Sequence, residues 1–128
     1  MNIFKKLVLV TVLFFLLTSV SAFADNFKDM NRFMWTWSSL EAVVCEAAHA
    51  HSGNYVPVVD LDEAYATIED MQNRISKIIA EIKTPEEMSA ARKLADEFVK
   101  MQDKEEEVGR AVNKLLDRQE KFLQAHKE

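Results

Sequence analysis

From Thr84 to Glu128 the chain carries one sustained helical pattern, and that stretch limits the possible folds more than any other. Thr84-Pro85-Glu86-Glu87 offers a hydroxyl at the N-cap, proline at the first helical position and a carboxylate three residues after the cap. This is a capping-box start, which satisfies backbone donors that have no partner in a helix's first turn. Beyond it, Ala91, Leu94, Phe98, Met101, Val108, Val112, Leu115, Phe122 and Leu123 share one stripe, with Glu105 inside it. No Gly or Pro marks a stop before the C-terminus, since Gly109 alone lowers helix propensity by only about 1 kcal/mol against alanine. A single helix over 85–127 would be about 64 Å long.

A shorter helix precedes it. Asp60 stands three residues before Glu63, a second capping signal, and Leu61, Tyr65, Ile68, Met71, Ile75, Ile78, Ile79 and Ile82 recur at three- and four-residue spacing. Gln72 interrupts this near-heptad seam. The predicted helix over 61–82 is about 33 Å long. The short link Lys83-Thr84 predicts that it lies antiparallel to the first half of the final segment. Leu61 would then stand opposite Glu105–Glu107, and the stripe beyond Val108 would have outrun its cover. Either the last helix is continuous and a second copy covers its far half, or it breaks near Asp103–Glu107 and folds back as a fourth helix. In the second case Asp103 and Glu106 would cap it, and Glu105, Glu106 and Glu107 would suit its first-turn dipole. Met101-Gln102-Asp103-Lys104-Glu105 holds no Gly or Pro, so the expectation is a continuous or merely kinked helix. The predicted class is all-α: an antiparallel bundle of three helices with a long C-terminal one, or four helices if that one breaks.

The N-terminus reads as an address. Lys5 and Lys6 precede an apolar run over Leu7–Leu17, and Ala22-Phe23-Ala24 places small residues before a cleavage point at Asp25. Residues 1–24 are therefore expected to be a Sec-type signal peptide, and 25–128 one helical domain of 104 residues. Periplasmic or secreted localisation follows, with no stable membrane anchor after cleavage. The chain carries 16 basic and 21 acidic residues, for a net charge of −5; without the leader's two lysines the balance is 14 against 21, or −7. Such a balance argues against nucleic acid as a partner. Cys45 is the single cysteine, so no intramolecular disulfide supports the fold.

Residues 26–52 predict the first helix. Met30, Phe33, Met34, Trp37, Leu40, Val44 and Ala48 share one face, and Gly53 supplies a stop. Trp35 falls nearly opposite, packed against a neighbouring helix or presented to a partner. The connection Asn54–Val59 holds Tyr55, Val56, Pro57, Val58 and Val59, and is expected to lie across the bundle's end.

Two constellations could bind a cofactor. Glu41, Cys45 and His49 lie at i, i+4 and i+8, a carboxylate, thiol and imidazole on one stripe that could contribute to a zinc or copper site. The bland alternative is a packed thiol and a solvated histidine at a helix end; a Cys45–Cys45 disulfide between copies stands between them. Met30 and His126 lie near the two ends of the mature chain. In a four-helix arrangement this resembles the periplasmic four-helix haem b cytochromes, where a methionine near the start and a histidine near the end are axial ligands. The resemblance implies haem b held by Met30 and His126; under a continuous last helix the two would be too far apart. Methionines at helical spacing are more often core filler than ligands.

No nucleophilic constellation or glycine-rich phosphate loop is evident, so the chain is not read as an enzyme. The expectation is an exported protein-binding module, an inhibitor, immunity-type protein or chaperone-like adaptor without a cofactor. Its candidate contacts are Trp35, Tyr55, Val112, Leu116 and Phe122, and its partner is another protein, with a homodimer as a further possibility. A haem or metal carrier is the alternative.

Overall fold

A computed structural model describes residues 3–49 and 60–127, with side chains for 25–48 and 60–127. The leader side chains, the His49 side chain, Gly53 and the Tyr55–Val59 connection lie outside the described residues. The fold is all-α, with helices α1 (Ile3–His49), α2 (Leu61–Ala80), α3 (Pro85–Val99) and α4 (Lys104–Ala125).

Both sequence-readable helix starts form. Asp60 caps α2, its carboxylate accepting from the backbone N–H of Asp62 at 3.0 Å and of Glu63 at 3.4 Å. Thr84 caps α3, its hydroxyl accepting from the Glu87 N–H at 3.2 Å with Pro85 in the first turn. Only half of the capping box closes on the backbone, because the Glu87 carboxylate takes the Thr84 hydroxyl proton at 2.9 Å. Each cap is worth about 1 kcal/mol. The C-terminal end of α2 is closed from outside: the Gln119 side-chain amide donates to the carbonyls of Ala80 at 3.3 Å and Ile82 at 2.8 Å. Carbonyls left over at a helix end are thereby satisfied by a different helix.

The last third of the chain is not one helix. It stops at Val99, passes through Lys100–Gln102 and restarts at Lys104, so the expected continuous helix is replaced by a hairpin of α3 and α4. The reversal uses neither Gly nor Pro. Asp103 takes φ 63° and ψ −126°, a backbone region that L residues rarely enter, and its side chain makes no capping hydrogen bond. Glu105, Glu106 and Glu107 do occupy the first turn of α4, where the helix dipole favours negative charge. The fold-back covers what the continuous helix would have left bare. Val108, Val112 and Leu116 are all at 1% exposure or less, and at about 1.5–3 kcal/mol per buried aliphatic side chain they outweigh a strained residue costing about 1–3 kcal/mol.

Packing joins two hairpins. The closest backbone association is between α3 and α4, then α1 and α2, then α1 and α4; α2 and α3 make none. Helices α1 and α4 thus form the middle, with α2 and α3 to either side. This corrects the expectation that α2 lies alongside α3. The link over 81–84 instead crosses the end of the core, where Ile82 is buried. Asn26 reaching Glu81 at 3.3 Å sets α1 antiparallel to α2, and Asn113 reaching Asp96 at 3.0 Å sets α4 antiparallel to α3. Among the described residues one core results, its most enclosed side chains including Met30, Met34, Ile75, Phe98, Val112 and Leu116.

Candidate functional site

At the α3–α4 crossing, Gly109 lies against backbone. A methyl group there would stand 2.6 Å from the Val99 nitrogen and 2.7 Å from the Ala95 oxygen. The two helices therefore approach as closely as a bare Cα allows, with Ala91 and Ala95 buried on the facing side. Beside this seam Arg92 donates to the Asn113 carbonyl at 3.3 Å, to Asn113 Oδ1 at 3.1 Å, to Asp117, and to Glu120 at 3.0 Å. Burial works to lower the guanidinium's pKa, but hydrogen bonds and charge from Asp117 and Glu120 more than offset it and hold it above the ordinary arginine value. Periodicity does not reveal such a clamp, since Arg92 is far in sequence from Asp117 and Glu120 and each reads as a solvated charge.

This clamp sorts the charge on α4. Asp117 and Glu120 turn towards α3, while Arg110, Lys114 and Arg118 line the opposite side, beside α2. There α2 and α4 run parallel and leave an open groove in two adjoining stretches that share Ser76, Leu115 and Arg118. Gln72, Asn73 and Ser76 form its α2 wall, and Trp37, Ile79, Ala111 and Leu115 its apolar floor. Phe122, 53% exposed, stands at the lower end. Arg110 is held by Glu106 at 2.7 Å, whereas Lys114 and Arg118 make no ion pair or hydrogen bond among the described residues.

The sequence-predicted residues distribute unevenly. Trp35 packs its ring against Phe98 at 4.8 Å between centroids, tilted by 55°, yet stays 41% exposed. It thus has the helix neighbour expected of a packed tryptophan and a free face as well. Val112 and Leu116 are fully buried, so they cannot meet a partner; the break in the last helix turned them into this chain's own core. Tyr55 lies outside the described residues. Tyr65, read from sequence as part of the α2 seam, is instead exposed.

Met30 is enclosed in the core and His126 is on the surface. The His126 ring stacks on Phe122 at 4.1 Å, and its Nδ1–H donates to the Phe122 carbonyl at 2.8 Å. Asn26 of α1 and Gln119 of α4 both reach the region of the α2–α3 link, but the groove lined by His126, Thr84, Met88 and Leu123 does not include Met30. Along the flank of α1, Glu41 accepts from the Trp37 indole N–H at 3.1 Å, and Cys45 is a half-buried free thiol. The nearby cation is Lys104, whose ammonium its hydrogen bond to Glu107 holds above the usual lysine range; burial opposes this, and the charges of Glu107 and Glu41 add to it. Among the described residues no three His, Cys, Asp or Glu side chains are grouped to hold a metal ion. Ser38, also mid-helix, is buried and donates to the Trp35 carbonyl at 3.1 Å. Among the described residues no helix is long and apolar enough to cross a membrane. Compared with protein-family models, curated proteins and solved structures, the chain matches none.

Proposed function

We propose that the protein is an exported helical module that binds another protein, in the manner of an inhibitor, an immunity-type protein or a chaperone-like adaptor. Trp35 carries this reading. Its ring rests against Phe98 while two-fifths of its surface stays open to solvent. An aromatic ring already held in place loses little side-chain entropy on binding, and tryptophan is enriched among residues that dominate interface energies. The leader pattern of residues 1–24 supports export.

The test uses affinity-tagged protein recovered from the exporting compartment, beside a Trp35→Ala variant with the same circular dichroism spectrum. A discrete protein is expected to co-purify with the first and to be lost from the second. Identical co-purifying sets from both would overturn the reading. The purified protein's spectrum and metal content test the carrier alternative on the same material: a Soret band, or zinc or copper at one equivalent, would establish it. Intact mass is expected to place the mature N-terminus at Asp25.

A further inference from the structure

The groove between α2 and α4 has a length, a floor and a charge that together specify an occupant. From Glu107 to Phe122 along α4 it runs about 22 Å, four turns of an α-helix and too long for one small molecule. Half-buried Ala111 and Leu115 lie along its floor, with exposed Phe122 at one end. The wall on α4 is cationic in a chain that is acidic as a whole. Among the described residues, intramolecular pairing leaves Lys114 and Arg118 free, because the nearby acids are engaged elsewhere: Glu106 with Arg110, Glu107 with Lys104, Asp117 and Glu120 with Arg92. Two unpaired cations at i and i+4 beside an apolar floor match a helix that carries apolar residues on one face and carboxylates along its edge. An amphipathic helix laid in a hydrophobic groove is a recurrent mode of recognition, and opposite charge across the rim steers it into register.

We propose that this groove receives an acidic amphipathic helix of the partner protein. The assignment rests on the protein-binding reading above and adds the surface and the chemistry of what it binds. The Gln72, Asn73 and Ser76 wall is neutral and polar, so it neither repels nor pairs with the carboxylates; selectivity for acid comes from the α4 side.

A fluorescently labelled synthetic peptide of about 15 residues, with leucines on one face and glutamates along its edge, serves as the probe, and anisotropy reports its binding to the full chain. Saturable binding is expected. The double variant K114E/R118E should weaken it by about tenfold, Leu115→Glu should weaken it further, and Tyr65→Ala, exposed on α2 outside the groove, should leave it unchanged. Both reversed cations are exposed and unpaired, so circular dichroism should not change in K114E/R118E. Equal binding to wild type and K114E/R118E would overturn the assignment, as would equal binding of a lysine-for-glutamate peptide or displacement of the probe by a single-stranded oligonucleotide. A wild-type dimer by light scattering that K114E/R118E dissociates would assign the groove to a second copy and overturn it too. Capture that depends on Trp35 but survives K114E/R118E would remove the groove assignment and leave the protein-binding reading standing. Loss of both capture and peptide binding in the wild type would remove both.

Discussion

Gly109 and Asp103 bracket the α3–α4 turn, and each makes a prediction whose sign separates tertiary from local effects. Alanine at 109 would improve helix propensity by about 1 kcal/mol if only α4 mattered. Its methyl group, however, would lie under 3 Å from backbone atoms of Val99, Ala95 and Phe98, which cannot step aside as a flexible side chain could. Gly109→Ala is therefore expected to lower stability by about 1–3 kcal/mol in urea denaturation, the usual cost of overpacking. A stabilised variant would show that the helices are not so close. At Asp103 the sign reverses. The residue holds a positive φ without a compensating side-chain cap, so Asp103→Gly removes a steric penalty and no hydrogen bond. A gain of about 1 kcal/mol is expected in the same measurement. A loss would mean that the Asp103 carboxylate contributes through the α4 dipole more than its backbone costs.

Among the elements, the α3–α4 hairpin was the least legible from sequence, and the reason is physical. Local signals described α2 and both caps well, because Asp60, Thr84 and Pro85 act within their own first turn. The break over Lys100–Asp103 has no such signal; it exists because folding back buries Val108, Val112 and Leu116, an energy no local window contains. Glu105 inside the stripe was the one hint, and it now sits half-buried in the first turn of α4. The candidate site was less legible still. Trp35 stands out by its position off the apolar face, but the α2–α4 groove depends on which helices adjoin, and the short link Lys83-Thr84 points to α2 beside α3 instead. Arg92 tests the hairpin as a unit. Its four hydrogen bonds reach three residues of α4 and only a quarter of its side chain is exposed, so Arg92→Met should cost about 1–3 kcal/mol while keeping the stem's packing. Because the guanidinium's pKa is raised, its share of that stability is present below the ordinary arginine value and lost only as pH rises beyond it. The difference between wild type and Arg92→Met should therefore stay flat from about pH 6 to about pH 9. A difference that falls away across that range would mean that some other group carries the clamp.

At the scale of the whole molecule, the question is whether one chain is enough. A continuous last helix would have needed a second copy over residues 108–127, and the homodimer expectation came from that need. In the folded chain much of that stripe is covered internally: Val108 and Val112, with neighbouring Leu116, are buried, while Leu115 is half-buried and Phe122 exposed, and α4 is wrapped by α3 on one side and by α1 and α2 on the other. Among the described residues the large apolar side chains left exposed, Trp35, Tyr65 and Phe122, lie on three different helices. Light scattering in the presence of reductant, which removes any Cys45–Cys45 crosslink, is expected to give the mass of one chain at all concentrations. Leu116→Asp gives the sharper test, because the two arrangements predict different failures. Under internal cover the substitution buries a carboxylate in the core and should cost about 3–5 kcal/mol, a large part of the roughly 5–15 kcal/mol that a domain of this size commands. Helical circular dichroism should then melt at a much lower temperature, with no change of mass before unfolding. If a second copy supplied the cover, Leu116→Asp would dissociate a dimer into folded monomers, and the wild type's melting temperature would rise with protein concentration. That pairing of results would return α4 to a shared interface; a concentration-independent wild type with an unfolded variant places Leu116 inside a single chain.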